Sequence, residues 1–451
     1  MFKIDALTRE PKVYYPNHSY NNADLNGAAQ DNKKTIAILG GHGNEYSVST
    51  IFYPPVLGPI QSKHPNFRFI AVDPIVGTPK GQAQIERQKE VLDKHGFAYD
   101  SSLHPDTFYK RLESGEINLD GAVLAIPVKY HLPEIKKLLG MFDNLGKQVP
   151  VMLEKPLGLV DEVGQFKSLF QSHPEQIFAA DFSNGTNSLN FALENGLKDK
   201  IGDLEGIIGR FVEDGQYQEL DVLIQAIKDR NMLRESINGG GAGLDMAVHS
   251  IVTQERFLEE ALGLSLQGSK IKDVFLGRIN HPEINASSDP HLETYWRVSA
   301  ELGNGAYVFN DAGKGLDAYD YIVQINGDKG SLVISSGTVK SNPFVLFIPK
   351  DDSKRPELYL FKPGVGYKGI FENFLLTIQG HSEKIKPTLE MCMNTTSTSV
   401  EFVGDSYRFA SSKSNRGVEL IEHGRTPSFQ SITKPPDFKF YGSSDVVKGY
   451  K

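Results

Sequence analysis

Four short apolar runs, separated by stretches of helical spacing, constrain the first part of this chain more than any other feature. They are Lys34–Leu39, Phe67–Asp73, Gly121–Pro127 and Val151–Leu153, with helical stretches near 81–95, 105–115 and 133–145. Runs this apolar are buried on both faces, the pattern of a parallel sheet flanked by helices. A fifth run, Gln176–Phe182, closes the region near residue 183. Sheets of this kind take their ligands outside the carboxyl ends of the strands, so the chemistry is read from the residues just past each run.

The first run ends in Gly40-Gly41-His42-Gly43-Asn44. Glycines let the backbone turn tightly against a pyrophosphate, and a following helix start favours the anion. Gly41, His42, Gly43 and Asn44 are therefore candidate dinucleotide contacts. The fit to G-x-G-x-x-G is imperfect: Tyr46 stands at the third glycine, and Pro54-Pro55 soon interrupts the helix. The second run ends in Asp73, an acceptor for adenosine ribose hydroxyls that would repel a 2′-phosphate. Its distance from Gly43 (73 − 43 = 30) exceeds the usual spacing of about 20. The Pro-rich stretch at 53–59 accounts for the excess. NAD is the expected cofactor, while Lys80 and Arg87 keep NADP open. The fourth run continues as Glu154-Lys155-Pro156, and Pro156 ends the strand. Lys155 then stands at a strand tip, with the Glu154 carboxylate beside it.

Beyond residue 183 the texture changes. Helical spacing marks 187–196, 219–233, 369–380 and 388–412, and a strand is expected over Asp203–Phe211. Strand-like runs separated by turn signals fill 271–350, which predicts an antiparallel sheet. Between them lies a glycine cluster, Gly239 to Gly243, opening a helix that carries Asp245 and His249. Four apart on a helix, the two share a face, and a carboxylate beside an imidazole suits a general acid/base near neutral pH. The glycines before them let the backbone pass close to a ligand.

Other classes recede. The 12 histidines show no paired metal-ligand spacing, and the lone Cys392 excludes an intrachain disulfide and fits a reducing, cytoplasmic setting. A net charge of −8 without a basic stripe argues against nucleic acid, and no apolar run is long enough to span a membrane. Gly404–Arg408 lacks the closing glycine of a nucleophile elbow. Trp296 is assigned to the core or to a subunit contact.

A glycine-rich first turn, Glu-Lys-Pro after a later strand and Gly-Gly-Gly-x-x-x-Asp-x-x-x-His opening a helix occur in one order. That combination resembles the glucose–fructose oxidoreductase/inositol dehydrogenase (Gfo/Idh/MocA) family. The resemblance runs loosely from Lys33 to Gly424 and includes Asp120–Val123, Pro127, His131 and Gly327–Ser331. It implies an N-terminal Rossmann domain plus a C-terminal α/β domain with a large, mostly antiparallel open sheet. It also implies NAD(P)-dependent interconversion of a hydroxyl and a ketone or lactone on a sugar, cyclitol or related polyol. Lys155 would hydrogen-bond the reacting hydroxyl, His249 would move its proton and Asp245 would orient His249. Ile126, Pro127, His131, Glu154 and Lys155 would line the cofactor side, and the Lys155–Pro156 bond would be cis. Ile126 and Val128 replace the Thr and Asn usual in the family, and 181–187 lacks its Tyr/Arg-Arg pattern. Two other functions share the fold: glycoside cleavage through transient oxidation with no net redox, and non-catalytic sensing of NAD(P) or sugar. The expected divisions are an arm (1–32), a dinucleotide-binding domain (33–183), a substrate and oligomerisation domain (184–432) and a tail (433–451). A homo-oligomer is expected through the sheet at 271–335, whose face bearing Tyr295, Arg297 and Tyr307 has no evident cover.

Overall fold

The computed structural model describes residues 11–16, 33–43, 47–213, 219–230, 232–234, 240–317, 320–337, 342–362, 366–381, 385–413 and 418–427. Asn44, Tyr46, Asn238, Gly239, most of the expected arm and all of the expected tail lie outside them. The chain forms two compact units: Asn21–Asp181 with Tyr367–Met393, and Phe182–Gly366 with Met1–Tyr20 and Asn394–Lys451.

The described part of the arm supplies β1 (Lys12–Tyr14), an edge strand of the larger sheet. The unit containing 21–181 is built on β2 (Lys34–Leu39), β3 (Phe67–Val72), β4 (Ser101–Leu103), β5 (Gly121–Leu124), β6 (Val151–Leu153) and β7 (Ile177–Ala179). All pair in parallel, in the order β4-β3-β2-β5-β6-β7, which reverses direction between β2 and β5. This is the doubly wound pattern that the alternating runs predicted. Ile36, Ile38, Phe69, Val123, Met152 and Phe178 form its core with Ile370, Phe374 and Leu375 from the helix Gly366–Ile378. Each such side chain contributes on the order of 1.5–3 kcal/mol when taken from water. That helix sits so close that a Cβ on Gly121 would come within 2.5 Å of Ile378 Cδ1.

The other unit holds a ten-stranded sheet. Its further strands are β8 (Leu204–Glu213), β9 (Lys270–Ile279), β10 (Tyr295–Glu301), β11 (Tyr307–Lys314), β12 (Asp320–Gly327), β13 (Gly330–Ser335), β14 (Phe344–Pro349), β15 (Glu357–Leu360) and β16 (Glu419–Ile421). The order is β1-β15-β14-β13-β12-β8-β11-β10-β9-β16. Among the described strands only β1/β15, β8/β11 and β9/β16 pair in parallel here, so the sheet is mostly antiparallel as expected. The helix Val248–Phe257 packs over β8 and is bonded to Asn310 of β11. Ser250 Oγ donates to Asn310 Oδ1 (3.2 Å), and Asn310 Nδ2 donates to Gln254 Oε1 (3.0 Å). Gly209 makes room, since a Cβ there would fall 2.2 Å from Asn310 Oδ1. Trp296 is fully buried and donates from Nε1 to Ser406 Oγ (2.8 Å), a core role. Tyr295 and Arg297, expected on an open face, are themselves 0% exposed in the single chain, and Tyr307 is half-buried. Arg297 pairs with Asp311 at 3.4 Å, and Arg210 lies 3.8 Å from Asp311 and 3.6 Å from Asp320.

Candidate active site

In the first unit the carboxyl ends of β2, β3, β5 and β6 gather the expected cofactor residues. Gly40 has φ +82°, and a Cβ there would strike Ala125 O at 2.2 Å, so only glycine closes this turn. Gly41 is pressed on Ala71 and Gly43 on Ser47; Cβ atoms would fall 2.8 Å from Ala71 Cβ and 2.0 Å from Ser47 Oγ. Each carbonyl of the turn is held by a side chain. Ser49 Oγ donates to Gly40 O (2.8 Å), Gln88 Nε2 to Gly41 O (2.8 Å), Gln84 Nε2 to His42 O (2.5 Å) and Thr50 Oγ1 to Gly43 O (3.1 Å). Tyr99 OH adds a second bond to Gly41 O at 3.1 Å. The His42 ring is buried between Gln88 Oε1 (2.6 Å) and Ser102 Oγ (2.7 Å), a structural strut. Asp73 is 7% exposed and accepts from the amides of His42 (3.2 Å) and Ile75 (3.1 Å). Burial pushes its carboxyl up, against the pull of those amides. Lys80 and Arg87 are both exposed.

At the tips of β5 and β6, Ile126 is half-buried and Pro127 exposed. His131 is 1% exposed, its ring nitrogens facing Ile126 O (2.9 Å) and Leu157 O (3.2 Å), so it links the two strand ends. Burial lowers its proton affinity, and the two carbonyls oppose that effect. Lys155 is half-buried and precedes a cis peptide to Pro156. Glu154 turns inward and accepts from Tyr53 OH at 2.5 Å. Burial pushes Glu154 up to about 7; the Tyr53 bond and Lys155 act the other way.

In the second unit Asp245 lies in a five-residue π-turn, Gly243–Ala247, that leads into the helix Val248–Phe257 bearing His249. The glycines here lie close against other parts of the chain. A Cβ on Gly241 would meet Glu293 O at 2.2 Å, and one on Gly243 would meet Tyr407 OH at 2.6 Å. Glu293 Oε1 accepts from Gly243 N–H (2.9 Å) and Tyr407 OH (2.8 Å), and burial pushes this carboxyl up to about 7. Asp245 Oδ2 lies 2.7 Å from Lys314 Nζ, which is also 3.7 Å from Glu213 Oε2. His249 is 4% exposed, its ring centre 4.5 Å from that of Phe182 and 4.8 Å from that of Phe211. Asp245, Glu293 and Lys314 line a small pocket with Leu223, Ile227 and Met232. Among the described residues no group of three or more His, Cys, Asp or Glu could hold a metal ion.

Sequence reasoning missed Tyr53, Ser49, Thr50, Gln84, Gln88, Tyr99, Glu293 and Lys314. Gln84 and Gln88 carried one signal, a polar pair four apart on a helix; the others stand singly within apolar or mixed runs and carried none.

No protein-family model matches the sequence, and no curated protein matches it. Solved structures do. Aldose-aldose oxidoreductase from Caulobacter crescentus, solved with glycerol, matches at 14% identity and TM-score 0.55, over 86% of this chain and 100% of that one. KijD10, a 3-ketoreductase from Actinomadura kijaniata solved with NADP and TDP-benzene, matches at 14% identity and TM-score 0.58, over 87% and 99%. Scyllo-inositol dehydrogenase from Lactobacillus casei, solved with NAD(H) and scyllo-inositol, matches at 17% identity and TM-score 0.54, over 84% and 97%. At such identities the likeness establishes the fold, and it is the fold that the sequence motifs implied.

Proposed function

We propose that the chain is an NAD(P)-dependent oxidoreductase interconverting a hydroxyl and a ketone, or lactone, on a sugar, cyclitol or related polyol. The observation that carries this reading is the glycine turn at 40–43, whose carbonyls are all tied back by side chains, with Asp73 beside it. Such a turn is a rigid cradle in which no Cβ fits at Gly41 or Gly43. A carboxylate has about four lone-pair sites. Asp73 gives two of them to amides and keeps the rest for ribose hydroxyls. Gly41, His42, Gly43 and Asp73 would hold the adenosine and pyrophosphate half. Ile126, Pro127, His131 and Glu154 would shape the strand tips beneath the nicotinamide half. The dinucleotide supplies the hydride acceptor or donor, and the protein supplies the proton path. Lys155 donates a hydrogen bond to the oxygen that changes between hydroxyl and carbonyl. His249 takes or returns its proton, and the Asp245 carboxylate supports the imidazolium. The structural neighbours support the class, since all three are named as oxidoreductase, ketoreductase or dehydrogenase and two were solved with NADP or NAD(H).

The test is a titration of the purified chain with NAD and NADP, followed by a panel of sugars and cyclitols read at the reduced-nicotinamide absorbance. NAD should bind more tightly than NADP, and at least one polyol should give net reduced cofactor. Failure of both dinucleotides to bind would end the proposal. Tighter NADP would move the phosphate contact to Lys80 or Arg87.

A further inference from the structure

Lys314 stands at the Asp245 turn without a part in the chemistry proposed above. It lies on β11 with its side chain 6% exposed. Its strand neighbour in register on β8 is Glu213, so the ammonium sits between that carboxylate and Asp245. A buried lysine without counter-charges would be expensive, and here two carboxylates supply them. The other side of the turn is fixed separately, by Glu293 through the Gly243 amide and by Tyr407.

Accepting Asp245 and His249 as the acid/base pair, we propose that Lys314 is a positioning residue of that pair. Its ammonium fixes where the Asp245 carboxylate sits and offsets part of the negative charge that Asp245 offers to His249. A cation at 2.7 Å favours the charged carboxylate and pins its orientation. It also lowers the net negative field at the imidazole and so weakens its hold on a proton. Lys314 from β11 and Glu293 from the segment before β10 line the same pocket as Asp245, and Glu213 from β8 meets the same ammonium. The rings of Phe182 and Phe211 pack on His249.

The direction follows. Without the ammonium, Asp245 acts on His249 with less compensation, and the imidazolium persists to higher pH. The experiment is an NMR titration of the His249 ring in the full chain, with its signal assigned by its loss in H249Q. In Lys314→Met the midpoint should rise by about one unit, a tenfold change in proton affinity. Lys314→Arg keeps the charge and should stay near wild type. The acid limb of the rate in the oxidation direction should move with the NMR midpoint. An unchanged His249 midpoint in a folded Lys314→Met variant would overturn the proposal. If that variant does not fold, Asp245→Asn is compared with the Asp245→Asn/Lys314→Met pair, which removes both charges of the ion pair together. A higher midpoint in the double variant than in Asp245→Asn is the loss of the ammonium's own field at the imidazole and supports the proposal, and equal midpoints overturn it. The titration needs no substrate, so a chain that turns over nothing on the panel would fail the functional reading while leaving this result legible.

Discussion

The two glycine turns of this chain do similar mechanical work with different chemistry. At 40–43 every carbonyl is held by a neutral donor: Ser49, Gln88, Tyr99, Gln84 or Thr50. At 241–245 the holding groups are ionisable: Glu293 on the Gly243 amide and Lys314 on Asp245. Hydroxyls and amides keep their geometry across the whole physiological pH range, which suits a turn whose task is to grip one ligand. Carboxylates and an ammonium make a turn whose field depends on protonation, which suits a turn whose task is to move a proton. Each unit also holds a buried tyrosine–glutamate pair, Tyr53–Glu154 in one and Tyr407–Glu293 in the other, and of these glutamates Glu293 is bonded to its turn.

The largest expected effect separates the two turns by function. His249→Ala should cut turnover by about 10²–10⁴-fold, the usual worth of a positioned acid/base. It should leave dinucleotide affinity near wild type, because the proposed function assigns that affinity to the other turn. Lys155→Met should do comparable damage to turnover while keeping the apolar stem. Stopped-flow turnover and fluorescence titration of the cofactor, on the same preparations, check both. Wild-type turnover in His249→Ala would reduce Asp245-x-x-x-His249 to a helix start.

The converse substitution works on the first turn. In Gly43→Ala the new methyl would lie 2.3 Å from Ser47 Cβ, a clash that the backbone must relieve. Overpacking of this kind costs about 1–3 kcal/mol, or on the order of 10–100-fold in dinucleotide affinity if the cradle takes the strain. Isothermal titration should show that loss while the His249 ring titrates as in wild type. A loss felt equally at both turns would mean that they are not independent.

How much of this was legible beforehand depends on the range of each interaction. The long strands were readable, because six or more consecutive apolar or alternating residues leave little choice of element. Among the three- and four-residue strands, β5, β6 and β7 were readable as wholly buried apolar runs, whereas β1, β4, β15 and β16 carry exposed or half-buried residues and were not. Glu-Lys-Pro and Asp-x-x-x-His could be read from local spacing. Lys314 could not, because its pairing with Asp245 is made across β11 and a distant turn. The glycine cluster before Asp245 was read as letting the backbone pass close to a ligand; within the unit, Gly240 lies against Leu244, Gly241 against Glu293, and Gly243 against Tyr407 and Trp296. A sequence shows that something approaches closely; only the fold shows what.

The smallest expected effect tests whether the two buried tyrosine–glutamate pairs are equivalent. Burial pushes both Glu154 and Glu293 up to about 7, from an ordinary value of 4.5. A carboxyl whose folded value is raised binds more protons in the folded chain than in the unfolded one. Its contribution is therefore full below about 4.5 and is lost as pH rises through about 7. Glutamine keeps the shape and stays neutral, so Glu293→Gln and Glu154→Gln should each flatten the fall in stability between pH 5 and pH 8. The Gln side chain also keeps an oxygen to accept from Tyr407 or Tyr53. At pH 8 either variant should melt no lower than wild type, and the double variant should be flatter than both. Thermal melts at four pH values decide it. The two should part company in activity: Glu293→Gln acts beside the Asp245 turn and should reshape the pH profile of turnover. Glu154→Gln sits beneath Lys155 and should alter the rate more evenly across pH. If Glu293→Gln leaves the loss of stability between pH 5 and pH 8 as steep as in wild type, the carboxyl is ionised in the folded chain, and the turn at 241–245 is held by charge on both sides.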